Sequence, residues 1–351
     1  MPTLEPIRRG LMVLAIAASD SPPAQVLAAA GDSASLPSGP EWSAYPAPAD
    51  PRGYKPPVEQ PLVVRARAVP SEFGPADIAE RAWLRAAALR PAALIAVSSA
   101  DGGVGRSTLV AALGDVLALA VPGPVVAVDM HPVPWGGLGE RVGRSNAGTM
   151  WDAVRDLHTL TSRHEVERWT QRSPSGLLAL VGETEGQGRR PPRHDEAAAV
   201  VEAVRRLYPL TICDVMPALI TGVWRTLAAA YAPVLVARAT TDSLHHTMRL
   251  LTHLRAAGNS AVVDRAVLAV VAASPVTDRT VRAVLQQAAT VVPDVVSIPY
   301  DPQLARPEPV DARRLKKQTR TALVQLADAV VARCADPRVA LPVAARKERA
   351  R

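Results

Sequence analysis

Phenylalanine and lysine are almost missing from this chain. Among 351 residues there is one Phe, and only four of the 40 basic residues are lysines (Lys55, Lys316, Lys317 and Lys347). A core of any size must therefore be built from Ala, Val and Leu, which the 48% apolar share supplies. Arginine this dominant, with abundant Ala and Pro, has the look of a GC-rich coding background. An arginine standing where lysine is usual then has a bland source as well as a functional one. Cysteine is scarce: Cys213 falls in a strand-like apolar run and Cys334 lies far along the chain. Buried thiols are expected rather than a disulfide, as in a reducing cytoplasm. Long apolar runs are also absent, since none reaches the roughly 18 residues of a membrane span. The opening "RRGLMVLAIAASDSPPA" imitates the order of a signal peptide, but the rest of the chain reads as that of a cytoplasmic protein. A net charge of +7 permits contact with nucleic acid or anionic lipid without requiring it.

What is present falls into three parts. Residues 1–76 read as a disordered Pro- and Ala-rich tail, because "SPPAQVLAAAGDSASLPSGPEWSAYPAPADPRGYKPPVEQP" cannot bury enough apolar surface to offset its ordering entropy. Trp42, Tyr45 and Tyr54 within it leave open a partner-binding strip beside a plain linker. Residues 77–335 read as one domain, and 336–351 as a basic C-terminal tail. The domain opens with a helix, "PADIAERAWLRAAALR", ended by Pro91. Strands are then expected at Ala92–Ser98, Val125–Asp129, Gly176–Val181, Thr211–Val215, Val234–Ala239, Ala266–Ala273 and Val295–Pro299. Helices are expected at Ser107–Ala120, Asp195–Leu207, Ser243–Ala257, Asp278–Ala289 and Asp311–Arg333. Near-continuous apolar strands alternating with helices predict a doubly wound, mostly parallel α/β sheet. In such sheets ligands bind at the carboxyl ends of the strands.

One of those ends carries "SSADGGVGRST", between a strand and a helix. Gly102, Gly103 and Gly105, with Val104 among them, would let backbone N–H groups turn inward around phosphate oxygens. The helix opening at Ser107 adds its N-terminal dipole. Arg106 and Thr108 flank Ser107, which stands where a hydroxyl ligand for magnesium belongs. "VVAVDMHP" ends a strand in Asp129 and "LTICDVMP" ends another in Asp214, a pair suited to holding the metal and its waters. Each aspartate also has an ordinary alternative as a helix cap.

These motifs resemble those of the MinD/ParA-like deviant Walker A P-loop ATPases, and among them the EspI-like members associated with type VII secretion. The resemblance runs from about Ala79 to Ala335. It rests on "GGVGRST", on "VVAVDMHPVPWGGLGERVG" in the switch I position, on "LYPLTICDVMPALIT", and on "SIPYDPQLARPEPVDARRLKKQTRTALVQLADAV". It implies binding of ATP with Mg2+, a homodimer closed around two nucleotides, and adenine-side contacts from Pro299 and Asp301. It also marks departures. Arg106 replaces the P-loop lysine, and Asp101 replaces the signature lysine that reaches across the dimer. His131 replaces the aspartate that orients the attacking water, so it is the candidate catalytic group or a solvent-facing loop histidine. Ala272 and Ala273 stand where an adenine-contacting asparagine is expected. A carboxylate at Asp101 set against a phosphate would weaken ATP binding by Coulomb repulsion.

Taken together, the sequence predicts a cytoplasmic nucleotide-binding domain with a degenerate site and hydrolysis weak or lost, a pseudo-ATPase serving as regulatory or scaffolding partner of a larger machine such as a secretion system. Two alternatives stand beside it. One is an active Mg-dependent ATPase cycling between monomer and ATP-bound dimer. The other is a partition-type, non-specific DNA binder using "ARRLKKQTR" (312–320) and "GRRPPRH" (188–194). His245, His246 and His253 are expected to be ordinary surface or packing histidines.

Overall fold

A computed structural model describes residues 89, 92–121, 123–130, 137–183, 190, 192–217, 221–275, 279–311, 314–336 and 339. The N-terminal tail, the helix expected at 75–90, His131 and most of the C-terminal tail lie outside the described residues. In chain order the elements are β1 (Ala93–Ser99), α1 (Arg106–Ala120), β2 (Val125–Asp129), α2 (Gly137–Val142), α3 (Met150–Arg155), α4 (Arg163–Glu167), β3 (Gln171–Arg172), β4 (Leu178–Leu180), α5 (His194–Arg205) and β5 (Leu210–Asp214). They continue with α6 (Thr221–Ala229), β6 (Ala232–Arg238), α7 (Thr241–Ala256), α8 (Ser260–Val263), β7 (Val267–Val271), α9 (Arg279–Val291), β8 (Asp294–Ile298), α10 (Pro302–Ala305) and α11 (Lys317–Ala335).

The strands form one sheet in the order β3-β4-β2-β5-β1-β6-β7-β8. Every pairing is parallel except β3 with β4. Each of the seven expected strands is present, and β1 is buried along its whole length. Strand alternation sorts the core into two layers. Ala93, Ile95 and Val97 of β1 pack with α1 and α11 on one face, while Leu94 and Ala96 pack with α5, α6, α7 and α9 on the other. Helices on both faces explain why these strands are apolar throughout instead of alternating. Helix α1 runs through the middle of its layer, with twelve of its fifteen residues buried.

Two features depart from expectation. β3 is a two-residue antiparallel edge strand, too short to show a period in sequence. The last helix, expected from Asp311, begins at Lys317, because the Asp301 carboxylate accepts from the Lys316 backbone N–H at 2.8 Å and holds that residue extended, at ψ 144°. Both cysteines are free and buried, as expected. Burial pushes the Cys334 thiol up to about 12 and the Cys213 thiol higher still, which makes both inert near neutrality.

One polar group inside the α1 layer ties that helix to the sheet edge. Asp115, 1% exposed, accepts from the Ser173 hydroxyl and, at 3.0 Å, from the Ser175 hydroxyl. These hydroxyls belong to the turn joining β3 and β4. Asp115→Ala strips both of their acceptor and is expected to cost about 2 kcal/mol in denaturant unfolding. An unchanged midpoint would contradict this.

Candidate functional site

The glycine loop closes the carboxyl end of β1, next to the central strand β5. Gly103 (φ 65°) and Gly105 (φ 89°) are left-handed, a conformation that side chains disfavour, so glycine is required at both turns. Val104 is 1% exposed and anchors the loop in the core, whereas Gly102, Gly103, Gly105 and Ser107 are half-buried. Gly105 occupies the N-cap of α1 without a side-chain cap, and the first turn holds no acidic residue. The N–H groups of that turn are therefore open to an anion, with the helix dipole behind them. Arg238, at the end of β6, donates from Nη2 to the Gly103 carbonyl at 2.7 Å and braces the loop from outside.

Arg106 is the loop's basic residue, and it points into the protein. Its Nε donates to Asp214 Oδ1 at 2.5 Å, and its Nη1 lies 3.5 Å from Ser99 Oγ. The residue is 8% exposed and Asp214 is 0% exposed, so both charges of the pair are buried. Asp214 Oδ2 is buried without a hydrogen-bond partner among the described residues. Asp129 lies opposite Asp214 in the β2–β5 register, so the sheet does bring the two strand-end aspartates side by side. Asp129 Oδ2 accepts from the Gly182 N–H at 3.2 Å.

The sequence assigns magnesium to the donor set Ser107, Asp129 and Asp214. In this arrangement the set does not fit a divalent cation, because the guanidinium already sits on the Asp214 carboxylate that the metal or its waters would need. Among the described residues, no three His, Cys, Asp or Glu side chains gather as a metal site.

Asp101, expected to oppose the phosphates, has its carboxylate held by α7 instead. Ser243 Oγ donates to Oδ2 at 2.8 Å, and His246 Nδ1 lies 2.7 Å from Oδ1. Its backbone carbonyl accepts from Ser99 Oγ at 2.7 Å. Sequence reasoning missed this role of His246. The available signal was spacing: Ser243 and His246 are one helical turn apart and share a face. Asp301, expected on the adenine side, is 1% exposed, and its carboxylate accepts from the backbone N–H groups of Gln303 (3.1 Å) and Lys316 (2.8 Å). It shapes the loop beyond Pro299, and Lys316 Nζ lies 5.7 Å from the Tyr300 ring centroid. Thr108 is buried behind Ser107.

Of the two basic stretches, the second is largely neutralised where it is described. Arg190 bonds Glu196 at 2.6 Å, and Arg193 pairs with Asp195 at 3.3 Å. Arg313 lies outside the described residues. No helix among the described residues is long and apolar enough to cross a membrane.

Removing one partner of a buried ion pair strands the other charge, so Arg106→Met is expected to destabilise the fold by about 3 kcal/mol. The Asp101–His246 pair is partly exposed, at 28% and 50% of the side chains. Asp101→Ala is accordingly expected to cost under about 1 kcal/mol. Chemical denaturation of the two variants checks the contrast, and equal losses would refute the ranking.

No family profile matches the chain. In sequence it is 27% identical over 173 residues to the ESX-1 secretion-associated protein EspI of Mycobacterium tuberculosis, a match spanning 49% of this chain and 26% of that protein. In structure it is similar to a ParA family ATPase from Chlorobium tepidum, with a TM-score of 0.52 and 16% identity over 67% of this chain and 98% of the other. It is also similar to the cell-division ATPase MinD of Pyrococcus furiosus, with a TM-score of 0.50 and 19% identity over 68% and 98% of the two chains. The glycine loop between β1 and α1, the parallel sheet order and these likenesses agree: the chain has the ParA/MinD P-loop ATPase fold, and it is distantly similar in sequence to EspI.

Proposed function

We propose that this chain is a ParA/MinD-like nucleotide-binding protein whose turnover is weak or absent, and that it acts as a regulatory or scaffolding partner of a larger cytoplasmic assembly, a secretion machine being the favoured case. The observation that carries the first half is the Arg106–Asp214 pair. An arginine drawn onto a buried aspartate by a 2.5 Å bond is not free to follow charge developing on a transferring phosphoryl group. The uncapped first turn of α1 and the two left-handed glycines support retention of a phosphate cradle. The second half rests on the likeness of half of this chain to EspI, a secretion-associated protein.

The dimer expected from the resemblance is a separate proposition, because Asp101 is engaged within its own chain. Phosphate-backbone binding is the weaker alternative. Arg190 and Arg193 are committed to carboxylates, and such contacts would have to be broken before DNA could use them.

The test uses the full chain. Calorimetric titration with a non-hydrolysable ATP analogue is expected to show binding at roughly micromolar levels. Phosphate release from ATP is expected to be no faster than for Arg106→Ala. Magnesium-dependent release that Arg106→Ala abolishes would establish the active-ATPase alternative instead.

A further inference from the structure

We infer that the Arg106 guanidinium is the resident cation of this site, so that nucleotide phosphates bind here without a divalent metal ion. The inference rests on the nucleotide-binding reading and adds what that reading leaves open, the source of the positive charge beside the phosphates.

Charge balance sets the requirement. A carboxylate with no exposed surface needs a countercharge, and Asp214 has one in the Nε–H of Arg106 at 2.5 Å. Its neighbour in register, Asp129, accepts from the Gly182 N–H at 3.2 Å. Arg144 Nη2 donates to the carbonyls of Gly182 (2.7 Å) and Glu183 (3.1 Å), which places a second guanidinium near that strand end. Both carboxylates that would position a metal therefore have guanidinium neighbours. A doubly charged ion entering between them would meet the Arg106 guanidinium and would have to displace it from a buried bond.

The geometry also leaves Arg106 something to offer a ligand. Nε is used by Asp214 and Nη1 by Ser99, while Nη2 has no hydrogen bond among the described residues. Arg106 is the first residue of α1, so its side chain leaves from the same turn whose backbone N–H groups are uncapped. A guanidinium held rigidly on one side and free on the other can donate to a phosphate oxygen while keeping Asp214 neutralised. A lysine ammonium has three donors on one rotating nitrogen and lacks this fixed planar fork.

The experiment is an equilibrium titration of the full chain with a fluorescent, non-hydrolysable ATP analogue, in excess EDTA and in millimolar Mg2+. The expected result for the wild type is affinities within about twofold of each other. Arg106→Lys keeps a positive charge but loses the fork. It is expected to bind at least tenfold more tightly with Mg2+ than with EDTA, with circular dichroism confirming that it folds. Wild-type binding tenfold tighter with Mg2+ would overturn the inference and leave the nucleotide-binding reading standing. An Arg106→Lys variant as indifferent to the metal as the wild type would also overturn it, because the guanidinium would not be the cause. Absence of wild-type binding in both conditions would remove the nucleotide-binding reading and the inference together.

Discussion

The site is organised around one buried ion pair, Arg106 with Asp214. Its partners are 108 residues apart in sequence, and it exists because the sheet lays β5 directly beside β1. β1 delivers the glycine loop and β5 delivers the aspartate, both at their carboxyl ends. Once Asp214 is sealed at 0% exposure, some cation has to accompany it, and the first residue of α1 supplies one. The other polar contacts around the loop fit round that pair. Ser99 is shared between Arg106 and the Asp101 carbonyl, Arg238 holds the outside of the loop at Gly103, and Asp101 is drawn to α7.

The resulting loop is braced on three sides by side chains of its own chain. The sequence resemblance leads one to expect instead a loop in which one lysine stays free for phosphates and a second is free to cross to another subunit. Here the corresponding positions are an arginine held by a strand-end aspartate and an aspartate held by a helix. The fold still presents an uncapped helix terminus and two left-handed glycines beside that held arginine.

The fold was legible in sequence because a parallel sheet covered on both faces requires near-continuous apolar strands, and seven of the eight were visible as such. What escaped was set by distance or brevity. β3 has two residues, and the late start of α11 depends on a bond from Asp301 to a residue 15 positions away. For the candidate site, the sequence offered positions but not their contacts. Asp129 and Asp214 could be placed at neighbouring strand ends from their motifs alone. The direction of Arg106 could not, since the same side chain reaches either the phosphates or the sheet. The contacts of Asp101 with Ser243 and His246, 142 and 145 residues away, could not be read from its motif.

A double-mutant cycle on Arg106→Met and Asp214→Leu, read by equilibrium unfolding, measures most directly whether the pair organises the site. If it does, the coupling is about 2–3 kcal/mol, with the double variant more stable than the sum of the two single losses allows. Additive losses, with coupling near zero, would mean that the two side chains are neighbours without being partners, and the pair could no longer be what organises the site.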